Sequence, residues 1–299
     1  MKYFLFIWSI LCVSCLNFSY KEVYVDASDF EFAIISDTSD CIGDNPLLLR
    51  GAAEQIKELG QIDFVLSTGD TDYPWAVKKT LNEYIRDDIL WYPAIGNHDA
   101  DTVKDMLWYR HYNRGGDRLP NIKQKGLKKT IETMYSFDYS NVHFVIINQY
   151  YNGQNDCKAD GRIHPNTIKW LRDDLFHNNK DYIFVVGHEP AYVFPDDDTK
   201  TLRHADDCLN KYPIERDNFW NILSEFSVTA YICGHTHCYS SEKVNEVWQI
   251  NIAHTCGYGD ISTKSTFIHA ICYKDQVQFK TYRLNFDTGI YDLYEIIKF

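Results

Sequence analysis

Gly234-His235-Thr236-His237 closes the apolar run that begins at Val228, so two imidazoles one residue apart stand just past a buried strand. Three upstream runs end in the same way. Asp63–Leu66 leads into Ser67-Thr68-Gly69-Asp70, Trp91–Ile95 into Gly96-Asn97-His98-Asp99, and Tyr182–Val186 into Gly187-His188-Glu189-Pro190. Each time a β-branched or aromatic run gives way to a small residue and then to a metal-type ligand. With Asp37 at the end of Glu31–Ser36, the set Asp37, Asp70, Asn97, His188, His235 and His237 mixes hard oxygens with imidazoles. That donor set suits Fe, Mn or Zn rather than an all-oxygen calcium cage. Its size suggests two metals with one carboxylate bridging. Two such cations clamp a phosphoryl group and acidify a bound water, making a hydroxide nucleophile near neutral pH.

These residues can meet only if the strands before them end at one edge of a sheet. Strands are expected at Glu31–Asp37, Phe64–Gly69, Trp91–Gly96, Tyr182–Gly187 and Val228–Gly234. Between them, Pro46–Gly60 carries Leu48, Leu49, Ala52, Ile56 and Leu59 at helical spacing, with Gly60 as a stop. Ala76–Asp88, Pro165–Asn178 and Glu215–Phe226 read as further helices. This alternation predicts a parallel sheet covered by helices. Tyr135–Tyr139 and Val142–Asn148 form an antiparallel pair turned at Ser140-Asn141, and Val247–Ile252, Phe267–Tyr273 and Val277–Leu284 follow one another as strands. With no linker, repeat or low-complexity segment, residues 16–299 read as one domain, a strand-rich α/β (α+β) sandwich flanked by helices.

The 299 residues include 45% hydrophobic residues, ample for a large core, and carry a net charge of −12. That charge argues against a nucleic-acid partner, which would call for Lys/Arg patches. The short basic stretch Lys123–Lys129 reads as a solvated loop. Met1-Lys2-Tyr3 followed by the apolar Phe4–Val13 reads as an export signal over residues 1–15, too short to span a bilayer. Val13-Ser14-Cys15 resembles the end of a bacterial lipobox, although Cys12 stands where leucine is usual. The expectation is therefore a periplasmic or cell-surface protein, either anchored through a lipidated Cys15 or cleaved in the ordinary way. Cys157 and Cys208 lie in polar sequence and could pair in an oxidising compartment, whereas Cys233, Cys256 and Cys272 read as small buried hydrophobes. No C-x-x-C motif points to a structural zinc.

The series Asp37, Gly69-Asp70, Gly96-Asn97-His98-Asp99, Gly187-His188 and Gly234-His235-Thr236-His237 resembles the calcineurin-like metallophosphoesterase superfamily over some 200 residues. The resemblance implies a two-sheet β-sandwich flanked by helices, with a dinuclear site on loops at one end. Most members carry Asp-x-His at the first motif, but here it is Asp37-Thr38-Ser39. Purple acid phosphatases also lack that histidine and use a tyrosinate three residues after the bridging aspartate, the position of Tyr73. By this resemblance Asp37, Tyr73 and His237 would hold one metal and Asn97, His188 and His235 the other, with Asp70 bridging. A phenolate favours Fe(III), leaving Fe, Zn or Mn for the second position. His98 would face the substrate, stabilising the transition state or protonating the leaving oxygen. The alternative for Tyr73, in a chain with 22 tyrosines, is simple packing against Pro74 and Trp75.

The segment after His188 should overhang the metals. It makes Arg203 and His204 candidates for phosphate contact or general acid chemistry, and Tyr192 and Phe194 candidates for an apolar wall. His111 and Arg114 are weaker candidates. His143, His164, His177, His254 and His269 carry no motif, although His254 also closes a strand. The implied activity is hydrolysis of small phosphate monoesters by a metal-bound hydroxide, of acid-phosphatase type. A nucleotide or cyclic-nucleotide phosphodiesterase is the alternative, and a non-catalytic surface binding protein a third reading.

Overall fold

The computed structural model describes residues 29–38, 48–71, 73–157, 160–256 and 263–299. Residues 1–15, read above as an export signal, lie outside them together with Cys15. In the first sheet β1 (Phe30–Ile35), β2 (Phe64–Ser67) and β3 (Leu90–Pro93) run parallel, crossed by α1 (Leu49–Leu59) and α2 (Pro74–Tyr84). In the second, β6 (Val142–Ile146), β7 (Tyr182–Val186), β8 (Ala230–Cys233) and β10 (Val247–Ile252) run parallel, with α5 (Pro165–His177) and α6 (Pro213–Glu225) among their connections. Antiparallel strands complete both sheets: β11 (Thr266–Tyr273), β12 (Gln276–Asn285) and β13 (Ile290–Lys298) extend the first beyond β1. β4 (Ile122–Lys125), β5 (Tyr135–Tyr139) and β9 (Tyr239–Val244) flank the second. The orders are β13-β12-β11-β1-β2-β3 and β4-β5-β6-β7-β8-β10-β9. Helices cover the outer face of each sheet, so the expected two-sheet α/β sandwich is the fold.

Strand alternation explains the layers. Phe30, Phe32 and Ile34 of β1 point between the sheets, where Phe64, Phe137, Phe144 and Phe184 meet them. Phe64 lies 4.9 Å from Phe32, 5.3 Å from Tyr92 and 5.6 Å from Phe144, ring to ring. Such offset and edge contacts add to the area that each ring buries. The opposite residues, Ala33 and Ile35, pack with Val65 and Trp91 under Ala52, Ile56 and Leu81 of the helices. Both faces are covered, which is why these strands read as continuous apolar runs.

Several elements escape the sequence expectations. β4 turns the expected Lys123–Lys129 loop into an edge strand, its side chains alternating between half-buried and exposed. β9, β13 and α4 (Val103–Tyr112) were not anticipated either. The cysteines also differ from expectation: Cys157 and Cys208 are both free thiols, and it is Cys256 that is disulfide-bonded. Cys157 donates instead to Asp156, and Cys208 to the His204 carbonyl, so each thiol is satisfied locally.

His143, on β6, does more than pack a strand. Its Nδ1 lies 2.7 Å from Asp138 Oδ1 and its Nε2 2.8 Å from Asp174 Oδ2, joining the β5–β6 hairpin to α5. Burial opposes a charge on this ring, but Asp174 and Asp138 outweigh it and raise its pKa above the ordinary histidine value. A histidine with a raised folded pKa stabilises fully below its unfolded pKa of about 6.5, and the contribution disappears as pH climbs through the folded value. Denaturant titration of wild type against His143→Gln should therefore show a gap of about 3 kcal/mol in mild acid that narrows in alkali. A gap independent of pH would mean that the ring is neutral throughout.

Candidate metal centre

Every parallel strand delivers a polar residue to the same edge, where its carboxyl end opens into a loop. β1 is followed by Asp37, β2 by Asp70 and β3 by Asn97 and His98. β7 is followed by His188, and β8 by His235 and His237. The turns are sharp. Asp37, Asp70, His235 and His237 all adopt left-handed backbone, with φ of 46°, 51°, 69° and 56°. For a residue with a Cβ this region costs about 1–2 kcal/mol, and such strain gathers at functional sites.

Two glycines let these turns approach one another. A Cβ on Gly96 would run into the Asp70 carboxylate and its backbone nitrogen, and one on Gly234 into the Ser36 hydroxyl and Asp37 Oδ2. Asp99 ties the Asp70 and Asn97 turns together, accepting from Gly96 N–H (2.9 Å), Thr71 N–H (3.1 Å) and the Tyr109 hydroxyl (2.9 Å). His98 N–H donates to Asp70 Oδ1 at 2.9 Å.

The histidine tautomers are set from behind. His188 Nδ1–H donates to the Thr68 carbonyl at 2.9 Å, so Nε2 faces the cleft with a lone pair, 3.1 Å from Asn97 Oδ1 and 3.3 Å from Asp70 Oδ2. His235 Nε2–H donates to the Asp207 carbonyl at 2.7 Å, so Nδ1 is the inward lone pair, 3.1 Å from Asn97 Oδ1. These two nitrogens stand 3.2 Å apart. Facing lone pairs, with two further oxygens beside them, repel unless something positive lies between. Without metal a proton takes that role. Although burial opposes it, the Asp70 and Asp37 carboxylates hold His188 at a pKa of about 10, while burial and the neighbouring His188 push His235 down to about 4. Asp70, His188 and His235 thus fit a metal ion, with all their ligand atoms within 4.8 Å of one another.

On the other side, both Asp37 oxygens accept from His235 N–H, at 3.2 and 3.0 Å, and Oδ1 lies 3.4 Å from His237 Nε2. Burial pushes the Asp37 pKa up, but His188 and His237 hold it well below the usual carboxylate range. Arg203 Nη1 lies 3.2 Å from His237 Nδ1, and the His204 ring is 4.9 Å from that of His235. The structure thus brings Arg203 and His204 over the site. His98 stands at its mouth, 58% exposed, its Nε2 3.9 Å from Asp70 Oδ2. Tyr73 is 48% exposed, and its ring stands 5.1 Å from that of Trp75. Tyr192 packs on Trp220 of α6, and His111 lies against Arg114.

One supporting residue went unread in the sequence. Gln149 Oε1 accepts from His188 N–H (2.6 Å) and Glu189 N–H (2.7 Å), and its Nε2 donates to the Glu189 carbonyl (3.1 Å). It follows β6 as the other site residues follow their strands, so the same strand-end signal was present.

A calcineurin-like phosphoesterase family model matches residues 30–239. The chain is 25% identical over 202 residues to human tartrate-resistant acid phosphatase type 5, and 24% identical over 205 residues to the rat protein. These alignments cover 62% of this chain but only 58% and 59% of the relatives' lengths. Among solved structures, PhoD is similar with a TM-score of 0.61 at 10% identity, covering 92% of this chain and 70% of that one. GAP50, the anchor in the inner membrane complex of Plasmodium, is similar with a TM-score of 0.58 at 14% identity, covering 91% and 89%. At these identities the two structures speak to fold alone.

The tight approach at Gly96 yields a direct test. Gly96→Ala should lower stability by about 1–3 kcal/mol through overpacking and weaken metal uptake, because Asp70 must move. Wild-type stability together with wild-type metal content in that variant would show that the two turns have room to spare.

Proposed function

The chain belongs to the calcineurin-like phosphoesterase family, and from that membership we propose that it hydrolyses small phosphate esters, monoesters before diesters, at a dinuclear metal centre. The observation that carries this reading is the 3.2 Å approach of His188 Nε2 and His235 Nδ1, both turned into the cleft by hydrogen bonds on the far side of their rings. Asn97, His188 and His235 would hold one metal, Asp37 and His237 the other, with Asp70 between them. When bound, the metals would act as Lewis acids, drawing charge from the phosphoryl oxygens and acidifying water.

The chain's own residues supply the rest. Asn97 and His98 share one short helix, α3 (Asn97–Asp101), whose start is fixed by Asp99. His98 is therefore held beside Asp70 while its ring stays open to substrate, where it can donate a proton to the leaving oxygen. Arg203 and His204 bring N–H donors over the same mouth, which suits the extra charge of a monoester dianion. Fe(III) is the proposed ion on the Asp37 side only if the Tyr73 phenol turns from Trp75 toward it; Fe, Zn or Mn suits the imidazole side.

We propose further that the chain is exported. The apolar segment after Lys2 and the disulfide at Cys256 support that location, since disulfides persist in oxidising compartments. Attachment through Cys15 is an extension of the same proposal. Among the described residues no helix is long and apolar enough to cross a membrane.

Reconstituted with Fe, Mn or Zn, the full chain should turn over nitrophenyl phosphate faster than bis-nitrophenyl phosphate. His98→Ala should cost about a hundredfold in kcat while retaining metal. Faster diester turnover would move the assignment to a phosphodiesterase, and metal uptake without turnover would favour the binding protein. In the iron-loaded chain a visible charge-transfer band that is lost in Tyr73→Phe would place the phenol on the metal, whereas a colourless wild type would falsify that ligand.

A further inference from the structure

The Asp37 side of the centre has one more imidazole. β10 runs parallel to β8, so its carboxyl end reaches the same edge, and Ala253-His254 follow it. Ala253 is left-handed, with φ of 62°, the same turn that aims Asp37, Asp70, His235 and His237 into the site. The next residue is fastened to the first ligand loop: Thr255 N–H donates to the Ser36 carbonyl at 2.7 Å, and Ser36 N–H donates to Thr255 Oγ1 at 3.1 Å. His254 is thereby fixed beside the Ser36–Asp37 turn.

His254 is wholly buried. Its Nε2–H donates to the Thr263 carbonyl at 3.3 Å, which leaves Nδ1 as an acceptor. That Nδ1 has no hydrogen-bond partner, although it is shut off from solvent. Buried polar atoms are nearly always satisfied, so an orphaned acceptor calls for an explanation. The ring centroid lies 5.5 Å from that of His237, and Asp37, His237 and Arg203 are all close enough to bias its charge. As in His188 and His235, one ring nitrogen is spent on a backbone carbonyl, which leaves the other free of that contact.

We propose that His254 Nδ1 is a ligand of the metal on the Asp37–His237 side. The proposal rests on the dinuclear reading above and gives that side an imidazole independent of Tyr73. A neutral nitrogen in place of a phenolate shifts the preference of that position toward divalent Zn, Mn or Fe.

Calorimetric titration of zinc or manganese into the metal-stripped full chain tests it. Wild type should bind two ions, Tyr73→Phe two, and His254→Gln one. Because His254 is buried, wild type itself provides a second measurement. With histidine nitrogens labelled and an NMR-active cadmium isotope loaded, His254 should show cadmium–nitrogen coupling alongside His188, His235 and His237. Two ions bound by His254→Gln with wild-type affinity, or a His254 signal without coupling beside three coupled ones, overturns the assignment and leaves the dinuclear reading standing. A wild type that takes up no metal overturns both.

Discussion

Two backbone carbonyls decide what this molecule can do. By accepting from His188 Nδ1 and His235 Nε2, the Thr68 and Asp207 carbonyls turn the opposite ring nitrogens toward each other at 3.2 Å. Nothing in hydrophobic packing favours that approach. It is tolerable only with positive charge between the rings, and the neighbouring Asp70 and Asn97 oxygens deepen the same requirement. The Thr68 carbonyl belongs to the turn that carries Asp70, so the residue that orients one imidazole also positions the carboxylate beside it. Loss of that local geometry would undo several ligands at once, which is the sense in which outer contacts tune a metal site.

Holding such a cluster takes a rigid frame, and the sandwich provides one. The ligands come from both sheets, so their spacing depends on the fixed distance between sheets packed face to face. Phe32, Phe64, Phe137, Phe144 and Phe184 fill that gap with interlocking rings, none of them exposed. Left-handed backbone at Asp37, Asp70, His235 and His237 would relax if the loops were free. The buried strands behind them, the bond that Asp99 accepts from Thr71 N–H beside Asp70, and those that Asp37 accepts from His235 N–H over-determine those turns.

The site was legible because its residues sit where buried strands stop. A run such as Phe64–Ser67 is hydrophobic on both faces, so its end is marked by the first polar residue, and here that residue belongs to the site. Where the signal differs, the reading failed. β4 is a half-exposed edge strand of sequence Ile-Lys-Gln-Lys, whose composition matches a loop, and β13 leaves Ile290, Leu293 and Ile296 exposed, so no periodicity announces it. Tyr73 has ligand spacing and stands directly before Pro74 at the start of α2, where its ring is 5.1 Å from that of Trp75. Spacing fixes a position along the chain but not a side chain's direction. Cysteine pairing depends on tertiary proximity, which local composition does not report, so Cys157 and Cys208 remain thiols while Cys256 is bonded.

Charge balance links this architecture to metal affinity. Asp37 and Asp70 are almost wholly buried, and burying two carboxylates is costly unless cations accompany them. Against the opposing effect of burial, the same carboxylates raise the pKa of the buried His188 imidazole, so cation and anions favour one another here. A proton on His188 Nε2 would compete with a metal for the same lone pair. His235, already neutral through burial and its charged neighbour, offers its lone pair with no such penalty. The two imidazoles thus differ in their electrostatic setting although both face the same cleft, because His188 lies under the influence of Asp70 and Asp37 while burial and His188 act on His235.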